Sequence, residues 1–155
     1  ALLLFKPHLD QWKPGEHTGT FRGNNLAFVA SKVSLEHYWQ NDNISKAVFY
    51  KEKILKQRLL DIANKYKDVY DIDVRGRGLA YGFEIKNDKS MAGEISKKAF
   101  QEGLIVETCG SEGQVVKFLP PLLIEEELLK EGLKRFEIAV DKLIKERSEH
   151  LKGEY

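Results

Sequence analysis

The run Pro14-Gly15-Glu16-His17-Thr18-Gly19-Thr20-Phe21-Arg22-Gly23-Asn24-Asn25 gathers hydroxyls, glycines and a cation directly ahead of a helix start. Free amides at a helix opening and the helix dipole both favour a phosphate, so this run is a candidate anion site. The competing reading is an ordered loop with capping residues. Lys117 is the second candidate: it follows Val115-Val116 and precedes Phe118-Leu119-Pro120-Pro121. A lysine among apolar strand neighbours is either an exposed edge residue or a cation aimed at an anion in a cleft. Arg75-Gly76-Arg77-Gly78 alternates as RNA-contacting segments do, but a single copy between two β-prone runs reads better as a turn. His8, His17, His37 and His150 lack the close spacing of zinc ligands, and no metal is expected. Cys109, in Thr108-Cys109-Gly110-Ser111, has no strong partner in sequence and reads as an inert thiol. Trp12, Tyr38 and Trp39 are packing residues, with an interface as the second choice.

The composition limits what such residues can serve. Lys+Arg number 25 and Asp+Glu 24 among 155 residues, a formal net charge of +1, which argues against electrostatic binding to nucleic acid or a membrane surface. No apolar run approaches the roughly 18 residues of a spanning helix. With a single cysteine no internal disulfide can form, and a cytoplasmic location is the simplest expectation. The chain opens on Ala1-Leu2-Leu3-Leu4-Phe5, apolar on both faces, which reads as a strand belonging to a larger sheet core.

The remaining elements must position the candidates. Lys6 to Asn25 is rich in turn-formers and reads as a loop, which Trp12 and Phe21 argue is ordered. Val29, Ala30, Val33 and His37 recur at helical spacing from Leu26 to near Trp39. A second helix is expected from Ser45 to Lys65 on the stripe Val48, Leu55, Leu59, Ile62 and Tyr66. Val69 to Val74 and Leu79 to Ile85 are β-prone and bracket the Arg-Gly repeat as a hairpin. Ser90 is placed to cap a helix through Glu102, with Glu94 at its positive end and Gly103 as its stop. Strands Leu104 to Glu107 and Val115 to Leu119 follow, and Glu125 to Arg147 completes the order as a helix. The pattern is mixed α and β, a small sheet with helices on one face, and a boundary is expected near Gln40 to Asn43.

Pro14-Gly15-Glu16-His17 with Gly19-Thr20-Phe21-Arg22-Gly23-Asn24 resembles a loop of the class III pyridoxal-phosphate aminotransferases. Arg75-Gly76-Arg77-Gly78-Leu79 through Gly82-Phe83-Glu84 looks like their small-domain hairpin, and Val116-Lys117-Phe118-Leu119-Pro120-Pro121-Leu122 resembles their substrate-carboxylate strand. Order and spacing agree over essentially the whole chain. Within the family, Trp12 to His17 and Phe21 to Val29 are most similar to the branch that transfers the amino group of diaminobutyrate to 2-oxoglutarate in ectoine synthesis.

The resemblance implies a fold-type-I α/β enzyme, homodimeric, with pyridoxal 5'-phosphate as cofactor and an amino acid and a 2-oxo acid as substrates. Residues 1–40 would be the end of the large domain, with the cofactor-phosphate loop. Residues 41–155 would be the small α+β domain. The Schiff-base lysine, the aspartate under the pyridine nitrogen and the stacking aromatic of the family lie upstream of what this chain matches, so no catalytic residue is assigned here. Thr20 matches the threonine that reaches across the dimer to the cofactor phosphate, with Gly19 allowing close backbone approach. Lys117 falls where most members carry an arginine for the substrate carboxylate, and a lysine cannot copy that two-bond fork. Arg22 is a further cation beside the loop, for substrate or for loop structure. The alternatives are an ornithine, acetylornithine or 4-aminobutyrate aminotransferase, or a non-catalytic dimerisation or binding module.

Overall fold

The computed structural model describes residues 4–153, with side chains as far as Glu149. The described residues divide into two compact units between Asn41 and Asp42.

The leading unit is a loop feeding helix α1 (Asn25–Tyr38). Asn24 caps that helix, its side-chain oxygen accepting from the Ala27 amide at 3.0 Å. Most of the expected strand at Ala1 to Phe5 lies outside the described residues, and Leu4 and Phe5 carry no regular structure. The loop is more structured than its composition suggests, opening with a single 3-10 turn at Pro7–Leu9. Trp12 stacks on His17 with ring centroids 4.6 Å apart, while Phe21 is 94% exposed. Helix α1 buries no residue: Leu26, Phe28, Val29, Val33 and Leu35 are all exposed. The helical period is present, and nothing among the described residues of the unit covers it.

The trailing unit has its own core. Helix α2 (Asn43–Lys65) is followed by strands β1 (Ile72–Arg77) and β2 (Ala80–Ile85), helix α3 (Met91–Gln101), strands β3 (Glu107–Cys109) and β4 (Val115–Phe118), and helix α4 (Glu126–Gly153). The strands form one antiparallel sheet in the order β1-β2-β4-β3. Alternation along the strands separates two faces. Tyr81, Phe83 and Ile85 of β2 and Val116 and Phe118 of β4 join Leu55, Leu59 and Ile62 of α2, Met91 and Ile95 of α3, and Leu129, Leu133, Phe136 and Val140 of α4 in one buried cluster. All three helices therefore cover the same face, as the sequence pattern implies. Tyr81 donates to Glu52 at 3.0 Å and Tyr66 to Asp141 at 2.6 Å, satisfying both of these phenols at the cluster. Burial, followed by those carboxylate bonds, pushes both phenols up to about 12.

Several boundaries differ from expectation for identifiable reasons. Arg75-Gly76-Arg77 is strand rather than turn: Arg77 pairs with Ala80, and the two-residue loop is Gly78-Leu79. Gly78 carries the positive φ of +62°, the pattern of a II′ hairpin turn, whereas a Cβ at Gly76 would lie 2.2 Å from the Ala80 carbonyl. The strand expected from Val69 starts only at Ile72, because the amides of Val69 and Tyr70 both bond to the Tyr66 carbonyl in a last helical turn. The strand expected from Leu104 starts at Glu107. Gly103 stops α3 with φ +76°, and the Gly103 and Leu104 amides return to the Phe100 and Ala99 carbonyls, a Schellman closure that uses up the backbone a strand would need. Helix α4 runs further than expected, to Gly153, and the side chain of His150 lies outside the described residues.

Ser90 precedes α3 but does not cap it with its side chain. Its hydroxyl and amide instead donate to Asp88 at 2.6 and 3.1 Å. Arg147 of α4 reaches the same corner, bonding Asp88, the Ser90 hydroxyl at 3.1 Å and Glu94 at 2.6 Å. The Ser90 bonds and the Arg147 guanidinium hold the Asp88 carboxyl below its ordinary 3.8. A depressed carboxylate contributes stability that is complete above its unfolded pKa and is lost as pH falls through the folded value. Arg147→Met is expected to cost about 1–2 kcal/mol at neutral pH, discounting the charged bonds for partial exposure. It should also flatten the loss of stability below about pH 4, measured by thermal unfolding of the chain as a function of pH.

Candidate functional site

The face of the sheet away from the helices carries the charged side chains. The strand register aligns Arg75 of β1, Gly82 of β2, Lys117 of β4 and Glu107 of β3 in one row. Asp73, Glu84, Val115 and Cys109 form the next row. Gly82 leaves the row without a side chain between its two cations, whose backbones are two strand spacings, roughly 10 Å, apart. A Cβ at Gly82 would meet Val115 at 2.9 Å.

Arg75 and Lys117 are each held by carboxylates. The Arg75 guanidinium lies 2.5 Å from Asp73 and 2.6 Å from Glu84, and hydrogen bonding to Glu84 and then Asp73 raises its pKa. Lys117 Nζ is 2.9 Å from Glu107 Oε2 across the β3–β4 pair, with the lysine side chain 33% exposed and the glutamate 73%. Their hydrogen bond raises the lysine pKa and lowers that of the carboxyl, so at neutral pH both are charged. Lys117 also borders two hollows. One, of about 320 Å³ on the open face, is lined by Arg75, Gly82, Cys109, Gln114 and Leu119. The other, of about 380 Å³, is mainly apolar and lies against α4, lined by Leu104, Ile105, Pro120 and Leu128, with Glu107 and Lys117 at its polar edge.

In the leading unit the loop ahead of α1 is built by short-range bonds. The Lys13 amide donates to Glu16 at 2.7 Å, and the Arg22 amide closes a turn on the Gly19 carbonyl at 3.1 Å. Arg22 Nη1 donates to the His17 carbonyl at 2.7 Å and Nη2 meets the His17 ring at 2.8 Å. The guanidinium thus ties the loop together. Thr20 stands exposed within the turn. Gly19 is not in a left-handed conformation; a Cβ there would come 3.2 Å from Arg22 Nε, so the absent side chain leaves room beside the cation. A hydroxyl, a guanidinium and an open backbone are the donor set a phosphate dianion takes.

Of the residues singled out from sequence, Gly19, Thr20 and Arg22 share one turn of the leading unit, and Lys117 lies on the open sheet face of the trailing unit. Glu107, Arg75 and Glu84 were not singled out as site residues. The available signal was an acidic residue on the strand before Lys117, but the register that sets them opposite each other exists only in the folded sheet.

The Aminotransferase class-III family pattern matches residues 5–140. The chain is 50% identical over 147 residues to the diaminobutyrate–2-oxoglutarate transaminase of Wolinella succinogenes, covering 95% of this chain and 34% of that protein. It is 46% identical over 145 residues to the transaminase of the same name from Virgibacillus pantothenticus, covering 94% and 34%. Among solved structures it is similar to the ornithine aminotransferase of Toxoplasma gondii, with TM-score 0.69 and 25% identity over 89% of this chain and 32% of that one. The N-acetylornithine aminotransferase of Stenotrophomonas maltophilia gives TM-score 0.67 and 32% identity over 79% and 32%. The chain spans about a third of the length of the curated relatives it matches.

Proposed function

This chain belongs to the class-III aminotransferase family, and from that premise we propose that it works as part of a pyridoxal-phosphate transaminase. The amino donor is L-2,4-diaminobutyrate, interconverted with L-aspartate 4-semialdehyde, and the acceptor is 2-oxoglutarate, in the manner of ectoine synthesis. The observation that carries the reading is half-identity, over nearly the whole chain, to a transaminase named for that donor.

On this reading residues 1–40 close the large domain and residues 41–155 form the small one. The enzyme is a cytoplasmic homodimer, and the lysine that holds the cofactor belongs to sequence ahead of Ala1. Family membership implies pyridoxal phosphate as the cofactor, and the Thr20 turn has the donor chemistry its phosphate needs. When bound, that group supplies an electron sink for carbanion chemistry. Thr20 donates its hydroxyl to a phosphate oxygen of the partner subunit's cofactor, Gly19 leaves the backbone open to it, and Arg22 holds the turn in shape. Lys117 places the substrate carboxylate.

The test is steady-state transamination by the complete enzyme. Diaminobutyrate should exceed ornithine, N-acetylornithine and 4-aminobutyrate by at least about tenfold in kcat/KM, a difference of about 1.4 kcal/mol. Equal or better turnover of ornithine or N-acetylornithine would replace the proposed donor, a reading favoured by the structural likeness to the enzymes named for them. Thr20→Ala is expected to loosen the cofactor rather than slow the chemistry. A hydroxyl on a phosphate dianion contributes roughly 1.5–3 kcal/mol, so titration of the apoenzyme should show about tenfold or greater weakening. Unchanged affinity would remove Thr20 from the phosphate site.

A further inference from the structure

Lys117 is not a free cation waiting for a carboxylate. Glu107 already holds it at 2.9 Å, and the other cation in the row, Arg75, is closed by Asp73 and Glu84. Arg75 and Lys117 together thus stand against three carboxylates. A ligand bringing only negative charge must share Lys117 with Glu107 or displace it, and either way lies beside that carboxylate, with like charges in contact. One that brings a carboxylate and an ammonium together replaces both halves of the pair, the carboxylate on Lys117 and the ammonium on Glu107. The α-carbon of an amino acid carries those two groups side by side.

Resting on the transaminase reading above, we infer that Glu107 is a specificity-determining residue. With Lys117 it takes the zwitterionic head of the amino donor, Glu107 accepting hydrogen bonds from the α-ammonium. The head is fixed at the polar edge of the apolar hollow, and the amine at the other end of the molecule is left to react. Glu107 therefore selects diamino acids over ω-amino acids that lack the α-amine, and it opposes 2-oxoglutarate, which has no positive charge to offer.

The complete enzyme, with Glu107→Gln and Glu107→Asp, separates this role from a merely structural one. In Glu107→Gln, kcat/KM for diaminobutyrate should fall at least tenfold, while that for 4-aminobutyrate stays level or rises and the KM for 2-oxoglutarate stays level or drops. Glu107→Asp should restore most of the loss. A second readout is calorimetric binding of L-2-aminobutyrate, which has the head but no terminal amine, against butyrate, which has only the carboxylate. Wild type should prefer L-2-aminobutyrate, and Glu107→Gln should abolish the preference. The inference is overturned if Glu107→Gln weakens every ligand alike, as loss of a strut for Lys117 would, or if the preference survives it. An enzyme that turns over other donors but not diaminobutyrate would refute the proposed donor alone, since the binding comparison still decides the role of Glu107.

Discussion

Phe136→Ala is expected to cost about 3–5 kcal/mol of stability, the usual range for removing a buried aromatic ring. Phe136 is fully buried on α4. It meets Phe83 of β2 edge-on at 5.3 Å and Phe118 of β4 edge-on at 4.8 Å, so one ring joins the helix layer to two adjacent strands. Alanine would leave a void bounded by rigid rings on neighbouring strands, which cannot both collapse into it without breaking sheet register. Against a typical total of roughly 5–15 kcal/mol, the loss is a large fraction of what holds a domain folded. The measurement is urea denaturation, where the midpoint should fall with an unchanged slope. Phe136→Leu, which keeps most of the volume, should cost less than half as much. A Phe136→Ala penalty below about 1.5 kcal/mol would mean that the three rings are not the centre of the core.

Lys117→Ala is expected to lower kcat/KM for the amino donor and for 2-oxoglutarate by about 10- to 100-fold, with much of the effect in KM. Stability should hardly change, because the Glu107 carboxylate left behind is 73% exposed and hydrates readily. Lys117→Arg keeps the charge and adds a planar fork, so it should retain most of the activity and could tighten 2-oxoglutarate. Steady-state kinetics of both half-reactions decide the matter. Constants within about twofold of wild type for Lys117→Ala would make the residue a surface strand lysine and send the search for the carboxylate contact to Arg22.

The parts of the fold that could be read from sequence are those fixed by local periodicity. Leu55, Leu59 and Ile62 gave α2, and Leu129, Leu133, Phe136 and Val140 gave α4, because a buried stripe on a long helix repeats every three or four residues. Gly103 as the stop of α3 was legible because a glycine after a helical run permits the left-handed closure, whereas its cost to the next strand was not: the Leu104 amide is claimed by a carbonyl five residues back. The hairpin was visible, but its turn was misplaced because Gly76 and Gly78 look alike in sequence and only backbone contacts distinguish the one lying against Ala80. At the candidate site Lys117 stood out through its apolar neighbours. Its neutralisation by Glu107 is a consequence of strand register, a tertiary fact that local sequence does not encode. Helix α1 is the complementary case, since its period announced a helix but could not reveal that its apolar side chains are uncovered within the unit.

That uncovered helix bears on how the chain behaves in solution. Leu26, Phe28, Val29, Val33 and Leu35 are all exposed on α1, and apolar side chains left in water promote self-association. The chain by itself should therefore grow stickier as kosmotropic salt is added, and substitutions that make α1 polar should raise its solubility while leaving the unfolding of the sheet and its helices unchanged.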